Sequence, residues 1–374
     1  MRIIMSGGGT GGHIYPAITI LREIQKQTQS CEVLFIGTQQ GLESDIIPQE
    51  GFDFLTIDVR GFERRLSLGN IKTIMKTIGS IGQSRQIIRN FKPDIVIGTG
   101  GYVCGPVLLT ASLMGIPTMI QEQNVIPGIT NKILSRFVDK IAVGYGEALQ
   151  YFKNKEKVFI SGNPIRPEIL SATREEGIIA LGLDPNKKTI LISGGSRGAR
   201  SINQAMVSVY EQFAGRKDIQ LLHVTGQNEY NGIVRKLQEC CIDTIKAGNI
   251  IITPYIYNMP QALAVADLAI FRAGAVGLAE LTARGIPSIL IPYPYAAENH
   301  QEFNARVMEQ QGAAIVIRDV ELTGCRLNEV VNELINSPLN LAKMATASKR
   351  MGCPEAAEKI AKIALTMIKA ASKK

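Results

Sequence analysis

Arg2-Ile3-Ile4-Met5-Ser6-Gly7-Gly8-Gly9-Thr10-Gly11-Gly12-His13 opens the chain with an apolar run, then five glycines in six residues, then a histidine. A short β-branched run reads as a parallel strand buried on both faces. Glycines packed this densely exceed what a tight turn needs and imply close backbone approach to a ligand. The chain repeats the pattern. Thr189-Ile190-Leu191-Ile192-Ser193-Gly194-Gly195 echoes it, with Ser193 lying 187 residues after Ser6, half of 374. Each half therefore opens with a strand running into a Gly-rich turn. The expected fold is α/β, two tandem Rossmann-like domains facing a cleft, with ligands at the carboxyl ends of the strands.

Outward from these runs, strand patterns recur at residues 2–5, 32–36, 53–57, 94–97, 117–120, 140–143 and 158–160 in the first half. The second half has them at 189–192, 219–223, 249–252, 268–271, 288–291 and 314–317, with helical periodicity between. One helix is predicted over 16–28, with Pro16 in its first turn. The expected domains are 1–163, completed by the C-terminal helix within 354–374, and 164–353, with Pro164 and Pro167 stiffening the join. Residues 95–121 carry no charge, but five glycines and two prolines interrupt them, so they read as strand, loop, buried helix and strand rather than a spanning helix. The apolar run at the N-terminus is too short for a signal peptide.

Composition narrows the chemistry. An apolar share of 45% and a charged share of 20% exclude a disordered or fibrous chain, and a net +8 favours anionic partners. Six cysteines without C-x-x-C spacing and three histidines argue against a zinc cluster or a disulfide scaffold. There is no phosphate-binding G-x-x-x-x-G-K-[ST], no H-E-x-x-H and no Asp-x-Asp. Gly7, Gly9 and Gly12 formally satisfy G-x-G-x-x-G, yet the second strand ends Phe35-Ile36-Gly37-Thr38 without the acid a dinucleotide ribose needs; Glu43 and Asp45 come only later. The turn at Ser193–Ala199 suits a phosphate, as does Arg272-Ala273-Gly274-Ala275, which precedes a helix carrying Glu280.

Six motifs occur in one order along the chain. They are Gly8-Gly9-Thr10-Gly11-Gly12-His13-Ile14-Tyr15-Pro16-Ala17, Gly100-Gly101-Tyr102-Val103, Glu122-Gln123-Asn124, Gly162-Asn163-Pro164-Ile165-Arg166, Gly194-Gly195-Ser196-Arg197-Gly198-Ala199 and Asn299-His300-Gln301-Glu302-Phe303-Asn304-Ala305. Together they closely resemble the MurG family, the N-acetylglucosaminyltransferases that complete lipid II in bacterial peptidoglycan synthesis. The resemblance runs over essentially the full chain. It implies an inverting glycosyltransferase of the GT-B type, with no cofactor and no metal. UDP-GlcNAc would be the donor and undecaprenyl-pyrophosphoryl-MurNAc-pentapeptide (lipid I) the acceptor, attacked through its C4 hydroxyl. A glycosyltransferase of like architecture acting on another lipid such as diacylglycerol is the alternative.

Carried over by motif, Ser196 and Ala275 would face the diphosphate, Glu280 the ribose, Arg166 and Ile256 the uridine end, and Gln301 the sugar hydroxyls. Thr10, Gly11, Gly12 and Asn124 would approach the transferred sugar, with His13 and Glu122 on the acceptor side as competing bases. Arg197, Cys104 and Gln121 depart from the family's usual Gln, Ser and His. The implied location is the cytoplasmic face of the plasma membrane, peripheral, with an anionic membrane surface as partner and no nucleic acid. The residues add their own support for that surface. Residues 60–92 hold Arg60, Arg64, Arg65, Lys72, Lys76, Arg85, Arg89 and Lys92 against Glu63, a net +7, interleaved with Ile71, Ile74, Met75, Ile78 and Ile81 at helical spacing.

Overall fold

The computed structural model describes residues 1–59, 69–195 and 198–373, with the backbone alone for 69–78. Arg60, Arg64, Arg65, Ser196 and Arg197 therefore lie outside the described residues, as do the side chains of Lys72 and Lys76. Two compact units emerge: Met1–Arg166 with Cys353–Lys374, and Pro167–Gly352.

The first unit is built on β1 (Arg2–Ser6), β2 (Glu32–Gly37), β3 (Asp53–Thr56), β4 (Ile95–Gly98), β5 (Thr118–Glu122), β6 (Lys140–Val143) and β7 (Val158–Ile160). All neighbours pair parallel, in the order β3-β2-β1-β4-β5-β6-β7. Strand alternation divides the apolar residues between two faces. Ile3, Met5 and Phe35 pack with Ile14, Ile20 and Leu21 of the helix Gly11–Lys26 and with Ile360, Ala361 and Ala364 of the last helix, Ala356–Ala371. Ile4, Ile36 and Val96 pack on the opposite face with Val107 and Leu108 of the helix Cys104–Leu113. Where the chain rejoins this unit, a Cβ on Gly162 (φ +79°) would fall 2.2 Å from Cβ of Cys353, so only glycine fits.

The second unit repeats the plan with β8 (Lys188–Ser193), β9 (Ile219–Val224), β10 (Ile250–Thr253), β11 (Ala266–Phe271), β12 (Ser288–Leu290) and β13 (Ala314–Val316). Their parallel order is β10-β9-β8-β11-β12-β13. One face seats Ile190, Ile192 and Ile270 against Met206, Tyr210 and Phe213; the other seats Leu191 and Ala269 against Leu278 and Leu281.

In each sheet the strand order reverses once, between β1 and β4 and between β8 and β11. Ligands of open α/β sheets bind outside the carboxyl ends of strands at such a reversal. Glycines follow the strands there in both units: 7–12 and 100–101 in the first, 194, 195, 198 and 274 in the second.

One local expectation needs correcting. The helix predicted over 16–28 is Gly11–Lys26, so Pro16 stands inside it rather than in its first turn. Proline has no N–H for the carbonyl of Gly12, and glycines at 11 and 12 leave that first turn free to open around its ring. Among the described residues no helix is long and apolar enough to cross a membrane.

Candidate active site

The first turn is shaped by what surrounds it. Thr10 is extended and the helix begins at Gly11, so His13 sits in the first turn, half-buried. Its Nδ1 lies 2.8 Å from the carbonyl oxygen of Gly8. A carbonyl can only accept, so Nδ1 carries the proton and Nε2 of the neutral ring keeps its lone pair. Among the described residues nothing hydrogen-bonds Nε2. The ring lies against Gly100 (φ +112°), where a Cβ would come 2.9 Å from Cδ2 and 3.0 Å from Nε2. Gly8 N–H donates to the Gly100 carbonyl (3.2 Å), and the Thr99 hydroxyl donates to the carbonyl of His13 (2.8 Å). The two glycine turns thus hold the imidazole between them.

Beneath the turn lies a group the sequence reading passed over. Glu43, wholly buried, accepts from Gly9 N–H (2.9 Å) on Oε2 and from Thr38 N–H (3.0 Å) and Oγ1–H (2.7 Å) on Oε1. The signal was present as Gly37 and Gly41 flanking it, since a Cβ at either would strike the Glu43 side chain. Cys104, at a position where the family resemblance expects Ser, makes a comparable support. Its Sγ receives Gly100 N–H (3.2 Å) and reaches the Ser6 and Gly100 carbonyls, while burial pushes the thiol up to about 11.

Glu122 ends β5 and is 2% exposed. Oε1 accepts from Asn124 N–H (2.9 Å) and Nδ2 (3.2 Å), and Oε2 from Gly128 N–H (3.0 Å) and Asn131 Nδ2 (2.8 Å). Both oxygens are occupied, which makes Glu122 the organiser of the loop that carries Asn124. Gln121 is buried in an amide network, donating to Asn163 Oδ1 (3.0 Å) and accepting from Gln123. Arg166, the last residue of the first unit, holds its guanidinium 5.3 Å over the ring of Tyr15, which lies on the His13 helix.

In the second unit, Ile256, Ala275, Glu280 and Gln301 all follow carboxyl ends of strands, after β10, β11, β11 and β12. The helices Arg200–Phe213 and Ala275–Arg284 start after Ala199 and Gly274, neither of which offers a capping side chain. Among the described residues, then, no N-cap side chain takes their first N–H groups, and helix starts of this kind are the usual anion sites of such folds. Glu280 is buried rather than solvated, and Gln301 Oε1 receives Tyr293 N–H (3.0 Å) just after two left-handed residues, Glu298 and Asn299. Arg272 is held by Asp319 and Ser201. Below the turn, the Tyr210 hydroxyl meets His223 Nδ1, His223 Nε2 meets Asn203 Oδ1 (3.0 Å), and Asn203 Nδ2 donates to the Thr225 carbonyl (2.9 Å). Burial pulls the His223 imidazole down to about 3, so this support is neutral. Among the described residues no three His, Cys, Asp or Glu gather as a metal would require.

The chain matches the glycosyltransferase family 28 N-terminal domain over residues 3–143 and the family's C-terminal domain over 189–360. It is 51% identical over 356 residues to a protein of Halothermothrix orenii, covering 95% of each chain. It is 48% identical over 362 residues to one of Desulforamulus reducens, covering 97% of each. Both relatives are named UDP-N-acetylglucosamine--N-acetylmuramyl-(pentapeptide) pyrophosphoryl-undecaprenol N-acetylglucosamine transferase. The crystal structure of Acinetobacter baumannii MurG is similar at a TM-score of 0.77 and 27% identity, covering 98% of this chain and 99% of that one.

Proposed function

The chain belongs to glycosyltransferase family 28, and from that premise we propose that it forms lipid II. It transfers N-acetylglucosamine from UDP-GlcNAc to the C4 hydroxyl of MurNAc in undecaprenyl-pyrophosphoryl-MurNAc-pentapeptide. The observation that carries this reading is the near-full-length identity, 51% and 48%, to transferases named for that donor and acceptor.

In our reading His13 takes the proton. As the acceptor's C4 oxygen bonds to the anomeric carbon, that carbon's bond to the diphosphate oxygen breaks and its electron pair leaves with UDP. The hydroxyl proton passes to Nε2, and attack opposite the leaving group inverts the centre. The Nδ1–H bond to Gly8 supports this assignment, as does the saturation of Glu122 by four donors. Ser196 and Ala275 face the diphosphate, Glu280 the ribose, Ile256 and Arg166 the uridine end, and Gln301 the sugar hydroxyls. Thr10, Gly11, Gly12 and Asn124 meet the transferred sugar. The uncapped N-termini of the second unit offset leaving-group charge without a metal. Incubation with UDP-GlcNAc and a short-chain lipid I analogue should release UDP and yield the β-linked disaccharide, with and without EDTA. Transfer only to diacylglycerol, or a strict metal requirement, would overturn the reading.

We place the first unit on the cytoplasmic face of the plasma membrane, peripherally. Leu113, Ile129, Ile133 and Phe137 are exposed on and beside the adjoining helices Cys104–Leu113 and Ile129–Leu134, and the basic helix Gly69–Phe91 packs alongside the former. Each basic residue near an anionic leaflet contributes about 1 kcal/mol. Replacing Lys72, Lys76 and Arg85 by Glu should weaken binding to vesicles containing anionic lipid while sparing UDP-GlcNAc binding; unchanged vesicle binding would remove the idea.

A further inference from the structure

Glu43 and His13 are joined by a single peptide group. The Gly8–Gly9 peptide gives its carbonyl to His13 Nδ1–H (2.8 Å) and its N–H to Glu43 Oε2 (2.9 Å). We propose that Glu43 is a positioning residue for the reaction, fixing the tautomer and orientation of His13 through that peptide. The effect on turnover rests on His13 being the base; the effect on the tautomer does not.

Three observations build the case. First, among the described residues every hydrogen-bond partner of Glu43 is a donor: Gly9 N–H, Thr38 N–H and Thr38 Oγ1–H. Both oxygens act as acceptors, the pattern an ionised carboxylate satisfies. Second, the site is shaped around the side chain. A Cβ on Gly8, Gly37 or Gly41 would fall 2.3, 2.6 or 2.1 Å from its atoms, so glycines on three sides admit a carboxylate into the interior. A buried charge is retained only where it is fully hydrogen-bonded, and here the bonds it makes lead into the turn that carries the imidazole. Third, chains of hydrogen bonds polarise one another in a low-dielectric interior. A carboxylate drawing on the peptide N–H makes the opposite carbonyl a stronger acceptor for Nδ1–H. That holds the proton on Nδ1, keeps the lone pair on Nε2, and favours the imidazolium that forms when Nε2 takes a proton. A carboxylate usually does this to histidine directly; here one peptide lies between them.

Glutamine at 43 cannot reproduce the pattern. Its amide nitrogen would face either Gly9 N–H or Thr38 N–H, donor against donor.

The test is ¹⁵N NMR of the full chain labelled at its three histidines, His13, His223 and His300. Long-range ¹H–¹⁵N correlations separate protonated from bare ring nitrogens, and His13→Gln identifies the His13 signals. The expected result is Nδ1–H and bare Nε2 at His13 in the unaltered protein, and loss of that single tautomer in Glu43→Gln. The His223 pattern, set by Tyr210 and Asn203, should stay unchanged and so certify the fold. Turnover of Glu43→Gln should fall at least tenfold with UDP-GlcNAc affinity within a few-fold. Thr38→Val, which removes one of the three bonds and leaves the charge, should produce a smaller change in the same direction. Nε2–H at His13 in the unaltered protein would overturn the proposal without any variant. So would a Glu43→Gln protein with an intact His223 pattern and an unchanged His13 tautomer. If the tautomer shifts but turnover does not, Glu43 has no positioning role in the reaction; near-normal turnover of His13→Ala is the separate result that would overturn His13 as the base.

Discussion

The two Gly-rich turns begin almost alike in sequence, yet they rest on opposite foundations. In the first, Gly9 N–H is taken by the buried carboxylate of Glu43, and the helix that follows presents an imidazole. In the second, a neutral relay of Tyr210, His223 and Asn203 lies below, and the adjacent helices begin after Ala199 and Gly274, which supply no capping side chain. A diphosphate is repelled by a carboxylate behind the backbone it would bind and is accepted over a neutral support. In the function proposed above, the same strand-turn-helix frame serves as a base-bearing turn in one unit and an anion-binding turn in the other. The difference lies outside the glycines themselves, in Glu43 for one unit and in Tyr210, His223 and Asn203 for the other.

The largest expected effect is on the first turn alone. His13→Ala should lower turnover by 10²–10⁴, the usual contribution of a positioned base, and leave the donor Kd within a few-fold. Steady-state rates with a donor titration check it; near-normal turnover would make His13 structural and break the contrast. A reciprocal change belongs to the second turn. Gly198 has φ +74°, and a Cβ there would lie 2.1 Å from the Thr225 carbonyl oxygen. Strain of about 1–3 kcal/mol should weaken UDP-GlcNAc binding by Gly198→Ala about tenfold to a hundredfold, with turnover largely recovered at saturating donor. An unchanged Kd with lost turnover would exchange the roles of the turns.

A smaller effect follows from the neutral support. His223 is held near 3 in the fold and titrates near ~6.5 once unfolded. Below that value the unfolded chain binds a proton the native chain refuses, so stability falls with pH, by about 1.4 kcal/mol at pH 5.5. For a unit of this size that amounts to roughly 3–6 °C. Thermal melts at pH 7.0 and 5.5 should show this loss in the wild type and a reduced one in His223→Gln. Equal losses would mean that His223 is not the group responsible.

Much of this was legible in the sequence because parallel strands buried on both faces read as plain apolar runs. Ile3-Ile4-Met5 and Ile190-Leu191-Ile192 declare themselves, and the glycines after them mark the carboxyl edge. The helix start was misread because Gly11 and Gly12 resemble turn and Pro16 resembles a first-turn proline; only the packing of Ile14 shows that the helix is already formed there. The role of Glu43 was hidden for a different reason. It depends on Gly8, Gly37 and Gly41 converging on one carboxylate, which is a tertiary event with no local periodicity. Glu122 stood out as part of a motif, but the motif does not reveal that Asn124, Gly128 and Asn131 already fill its oxygens.

The contrast between the turns is tested most directly by titrating UDP into the full chain labelled with ¹⁵N-glycine. Amides of Gly194, Gly195, Gly198 and Gly274 should shift with a common saturation curve, while Gly9, tied to Glu43, stays in place. Shifts at Gly8, Gly9 and Gly11 with silence in the second turn would contradict the assignment of diphosphate to the second unit.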